Sequence, residues 1–114
     1  MQLVEISLDA FVSWLCSHEH EVIGLAGTCF DGPLARWLSE MTGYVFGVDG
    51  KWYGRASSEY GRWRLLPRWA EVFCVWMESR TYRPLTGREA LDVLAHVELT
   101  LSLMGVRQAC SAAA

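Results

Sequence analysis

The sequence predicts an α+β domain, about four helices packed on a small antiparallel sheet centred on a β-hairpin (44–48/51–55), and three observations carry that expectation. Two β-favouring runs, 44–48 and 51–55, are joined by Asp49-Gly50, the dipeptide that best accommodates the positive φ of a tight hairpin turn. Apolar residues recur at helical spacing in four other stretches. With 114 residues, 52% hydrophobic and 20% charged, the chain is long enough for one core and apolar enough to offset its ordering entropy. It reads as one globular domain over 1–106, followed by a flexible tail over 107–114.

Taken in order, Leu8, Phe11, Val12 and Leu15 form an apolar stripe behind Ser7, a good N-cap, and predict a helix over 8–17. The short apolar run 22–26, bounded by Gly27, fits a buried strand better than a helix. Asp31, Gly32 and Pro33 mark a second helix start, with the acid as cap and proline in the first turn, and Gly43 ends it. Leu34, Trp37, Leu38 and Met41 are its inward face. After the hairpin, 56–64 has no firm period and reads as a connector or an extension of the second strand. Pro67 opens a third helix carrying Trp69, Val72, Phe73, Val75, Trp76 and Met77, too many apolar positions for one stripe, so it should be central or covered on two sides. Thr86 and Glu89 form a capping box at the head of a fourth helix that should stop near Gly105.

No apolar run approaches membrane-spanning length and the N-terminus lacks a basic segment followed by an apolar one, so neither a membrane partner nor export is expected and the placement is cytoplasmic. Cysteines at 16, 29, 74 and 110 are scattered without a C-x-x-C pair, which predicts free thiols and not a disulfide framework. No cofactor motif is legible. Neither the dinucleotide nor the phosphate-loop pattern surrounds Gly24, Gly27 and Gly32, and no close carboxylate pair suggests glycosidase chemistry.

Charge is distributed unevenly behind a net −3. Residues 1–50 hold seven acids and one arginine, whereas residues 51–69 hold five bases and one acid. In that basic island Lys51, Arg55, Arg62, Arg64 and Arg68 alternate with Trp52, Tyr53, Tyr60, Trp63 and Trp69. Cations interleaved with rings can grip phosphates while bases stack. The same residue types also dominate the centres of protein interfaces. A net acidic chain repels a polyanion more than it repels a protein, so a protein partner is the first expectation and nucleic acid the second.

Two further clusters hold chemically competent side chains. Cys16, His18, His20, Glu19 and Glu21 are competent metal ligands, but they do not share one helix face, and the dipole at a helix end accounts for the histidines, so no metal is expected. Cys29 lies just before a helix start, where the dipole could lower its pKa; with a base from His18, His20 or His96 it would make a small cysteine-dependent enzyme, a second alternative. The leading expectation has no catalytic residue. It is a small non-enzymatic protein-binding module of inhibitor or adaptor type, such as a phage or mobile element directs at a host complex, whose contact residues are Lys51, Trp52, Tyr53, Arg55, Tyr60, Arg62, Trp63, Arg64 and Arg68. The broad apolar faces of the third and fourth helices add a homodimer as an expectation.

Overall fold

The computed structural model describes residues 6–58, 62–78 and 83–113, with side chains up to position 99 and at 101. The helices are α1 (Leu8–Ser17), α2 (Pro33–Thr42), α3 (Arg68–Glu78) and α4 (Gly87–Ala113), and the strands are β1 (Val22–Leu25), β2 (Phe46–Asp49), β3 (Trp52–Arg55), β4 (Arg64–Leu65) and β5 (Pro84–Thr86). The α+β architecture expected from the sequence is therefore present, but the strands form two small antiparallel sheets instead of one: β1 with β5, and β2-β3-β4. No helix among the described residues is long and apolar enough to cross a membrane.

Local chemistry explains most boundaries. Ser7 Oγ accepts from the Ala10 N–H at 3.4 Å at the start of α1, and Gly43, at φ 79°, ends α2 in the left-handed conformation that a side chain disfavours. The capping box closes both ways: the Glu89 N–H donates to Thr86 Oγ1 at 3.2 Å and the Thr86 N–H to Glu89 Oε1 at 3.3 Å. Asp31, expected to cap α2, does not. The cap position is Gly32, without a side-chain bond, and the Asp31 carbonyl accepts from the Leu25 N–H at 2.7 Å, tying the turn to β1. Gly24 permits that approach, because a Cβ there would lie 2.6 Å from the Asp31 carbonyl oxygen and 2.8 Å from Pro33 N.

Three other expectations are corrected. The turn residues of the hairpin are Gly50 and Lys51, not Asp49 and Gly50; Gly50 takes φ 60° at the first turn position and Asp49 becomes the last residue of β2, opposite Trp52. The fourth helix passes Gly105 without stopping and ends at Ala113. In α3 one stripe, Ala70, Phe73 and Met77, is buried, while Val75 and Trp76 are 62% and 42% exposed, so the helix is neither central nor covered on two sides.

The core is organised around an aromatic cluster. Phe11, fully buried, meets Trp37 at 5.1 Å between ring centroids, Phe73 edge-on at 5.4 Å and Trp69 at 5.7 Å, joining α1, α2 and α3. Leu94 and Val97 of α4 and Leu85 of β5 close it. Phe46 and Val48 of β2 present one face of the three-stranded sheet to this core, and Tyr53, paired with Val48, joins them half-buried. On the other face Gly47 and Gly54 are cross-strand partners, and the Trp63 ring lies on the pair: a Cβ at Gly54 would fall 2.4 Å from Trp63 Cδ1, and one at Gly47 would fall 2.7 Å from Trp63 Cη2.

Candidate functional site

The basic-aromatic segment divides into residues that the fold uses and residues that it leaves outside. Trp63 is buried, 8% exposed, over its glycine pair, and Trp69 is half-buried against the Phe11 cluster. Tyr53 is half-buried against the core. Arg55 is half-buried too: its guanidinium carbon sits 3.8 Å above the centre of the Tyr44 ring, and its Nε is enclosed with no hydrogen-bond partner. Tyr60 lies outside the described residues.

Outside stand Trp52, 39% exposed, and Lys51, Arg62, Arg64 and Arg68, all exposed. None of these four cations forms an ion pair with a carboxylate among the described residues; the pairs present are His18–Glu21, Arg83–Glu89 and Arg88 with Glu19 and Asp92. β4 adds a residue that the sequence did not single out. Leu65, 62% exposed, is the cross-strand partner of Trp52. The Leu66 N–H donates to the Lys51 carbonyl at 2.7 Å, which makes Lys51/Leu66 a hydrogen-bonded position and Trp52/Leu65 the non-hydrogen-bonded pair beside it. In such a pair the side chains stand closest, so the two form one apolar knob on the glycine side of the sheet.

The apolar surface continues past Trp63. Phe30, 48% exposed, reaches over Gly47 beside the Trp63 ring, its Cε1 2.8 Å from where a Gly47 Cβ would be. Phe30 also lines a groove of about 440 Å³ between α1, β1 and α2, whose other walls include Trp14, Val22, Glu21, Asp31 and Glu40. Glu40 Oε2 accepts from the Trp14 indole N–H at 2.9 Å and Glu21 pairs with His18 Nδ1; Arg36 and the ion-paired His18 are the basic residues among the described walls. Nothing in the loop around Phe30 has a period from which its exposure could be read.

Cys29 borders the same stack, its Sγ 3.1 Å from where a Gly47 Cβ would be, and it lines a cavity of about 170 Å³ together with Cys74, Asp49, Glu78 and the first turn of α2. The helix start was expected to depress its pKa, but burial and the Asp49 carboxylate raise it, and the hydrogen bond from the Val48 backbone only partly opposes them. Burial, with Glu78 and Glu71, pushes the Cys74 thiol up to about 12. No histidine is among the described residues that line this cavity. Cys16, Cys29 and Cys74 are free thiols. His18, facing Trp14 at 5.2 Å between rings, is occupied by Glu21, and no group of three metal-ligating side chains converges among the described residues. No protein-family model matches this chain, and no curated protein or solved structure matches it, so the functional reading stands on this geometry alone.

Proposed function

We propose that this chain is a small non-enzymatic protein-binding module of inhibitor or adaptor type, which engages its partner through the Trp52–Leu65 pair and the cations around it. The observation that carries the reading is the pair itself. A tryptophan and a leucine held side by side on a sheet and left 39% and 62% exposed contribute little to the core, yet each loses water favourably when a partner covers it. Lys51, Arg62 and Arg64 adjoin the pair in sequence, and as cations without internal partners they supply the polar rim of such an interface.

Single-stranded nucleic acid is less well served. Successive bases need several free ring faces, and Trp63 and Trp69 are both committed to the fold. The experiment is affinity co-purification from the source cell with the native chain and with a Trp52→Ala/Leu65→Ala variant, beside an oligonucleotide titration at low salt. Specific loss of the same proteins from the variant supports the reading. Equal recovery by both chains refutes it, and tight, salt-sensitive oligonucleotide binding replaces it with the nucleic-acid alternative.

A further inference from the structure

We propose that the open edge of β4 takes up an extended acidic segment of a partner protein as a further antiparallel strand of the β2-β3-β4 sheet. The proposal rests on the contact-surface reading above and names the form and charge of the occupant. Because Lys51/Leu66 is a hydrogen-bonded position and Trp52/Leu65 is not, the Leu65 N–H and C=O point away from β3. No hydrogen bond among the described residues takes up either group, and Leu65 is 62% exposed. The opposite edge of the sheet is closed: along β2 the Phe46 N–H donates to Ser39 Oγ at 2.9 Å and the Val48 N–H to the Cys29 carbonyl at 2.8 Å. An unpaired donor and acceptor on a strand edge are the groups that an incoming strand engages.

The register fixes what that strand carries. Partners across a ladder share a face, so a residue bonded to Leu65 lies on the glycine side of the sheet, where an apolar side chain widens the Trp52–Leu65 pair. Its neighbour opposite Arg64 lies on the other face, the side of Tyr53. A carboxylate there meets a guanidinium that is exposed and in no ion pair among the described residues. Residues 62–70 hold Arg62, Arg64 and Arg68 and no acid. Asp49 shares the face of Trp52, but it stands on β2, three strand spacings or roughly 14 Å from the added strand, where salt screens it. The occupant is therefore a segment in which apolar and acidic residues alternate. A second copy does not fit this edge, since pairing Leu65 with Leu65 would gather Arg62, Arg64 and Arg68 of both copies along one seam.

The test is fluorescence anisotropy of a labelled heptapeptide in which valine alternates with glutamate, titrated with the full chain at salt from about 50 to about 500 mM. The peptide should bind with a Kd below about 100 µM at low salt and more weakly at high salt. Leu65→Ala should weaken binding by about threefold. Leu65→Pro should weaken it by about tenfold more, because proline removes the outward N–H and fills its place without breaking a hydrogen bond of the fold. Arg64→Glu should cost about tenfold. The same peptide N-methylated at its valines, and one of equal composition with its glutamates grouped, should each bind at least about tenfold more weakly. Should Leu65→Pro unfold, shown by circular dichroism, the N-methylated peptide decides in its place. No binding by the wild type, or binding indifferent to N-methylation, to alternation or to Arg64→Glu, overturns the proposal. If the added strand fails in this way but Trp52→Ala/Leu65→Ala still loses a co-purified protein, the contact surface stands and only its mode is refuted; if that variant loses none, both readings fall.

Discussion

Replacing Gly54 with alanine should destabilise the wild type yet stabilise a chain that lacks the Trp63 ring. In the native fold the added Cβ would lie 2.4 Å from Trp63 Cδ1, 2.5 Å from Cγ and 2.8 Å from Nε1, and the ring cannot swing clear because it is held over Gly47 as well and is only 8% exposed. Overpacking of this kind costs about 1–3 kcal/mol. Against it stands a gain of about 0.5–1 kcal/mol from replacing a strand glycine by alanine, so Gly54→Ala should lose roughly 1–2 kcal/mol overall. Trp63→Ala alone, which empties the space over both glycines, should lose at least about 3 kcal/mol. In that background the clash is gone and only the backbone gain remains. The double variant should therefore be more stable than Trp63→Ala, with a coupling of about 2 kcal/mol between the sites. Urea unfolding followed by far-ultraviolet circular dichroism on the four chains measures it, since removing the tryptophan leaves that signal interpretable. Effects that add to within about 0.5 kcal/mol would refute the claim that the ring rests on the glycine pair.

Further consequences concern packing, capping and pH. Gly87→Ala would set a Cβ 2.6 Å from the Leu15 carbonyl oxygen and 2.5 Å from that of His18, backbone atoms that cannot rotate away, and should lower stability by about 2–3 kcal/mol in the same denaturation assay; a neutral effect would mean that α1 does not end against the head of α4. Thr86→Ala opens the capping box and should cost about 1 kcal/mol, read as a Tm lowered by roughly 4 °C. The Cys74 thiol has its folded pKa raised from 9.0 to about 12, so in that interval the unfolded chain has released a proton that the folded chain keeps. Its stabilising effect is complete below pH 9 and is lost as pH rises, at about 1.4 kcal/mol per unit. Chemical denaturation across that range should show Cys74→Ala losing the corresponding part of the alkaline slope; identical slopes would contradict the burial assigned to this thiol.

What could be read from the sequence depended on whether the cause was local. The capping box at Thr86–Glu89, the Ser7 cap and Gly43 act within a turn, and all three stand where their spacing puts them. The hairpin is legible for the same reason. Its turn, however, advanced by one residue, because Gly50 and not Asp49 takes the first turn position, and that displacement conceals the signal that would have placed Trp63. With Asp49-Gly50 as the turn, Gly47 faces Trp52; with Gly50-Lys51 it faces Gly54, and two opposed glycines mark a site for a ring. β5 was out of reach. It is three residues long, begins with proline and exists by virtue of β1, sixty residues away in the chain, on the scale of a long-range contact. The exposed face of the candidate site was half legible: the cations and Trp52 could be named from composition, whereas Leu65 and Phe30 owe their place to strand pairing and to a glycine on another strand.

Hydroxyl-radical footprinting of the chain, alone and in its assembled state, addresses the contact surface most directly. In isolation Trp52 and Leu65 should be modified readily and Trp63 hardly at all, and on assembly the first two should become protected while the exposed Val75 on α3 stays unchanged. Trp63 reacting as fast as Trp52 in the isolated chain, or a Trp52 signal untouched by assembly, would contradict the division between rings that build the fold and the one left to meet a partner.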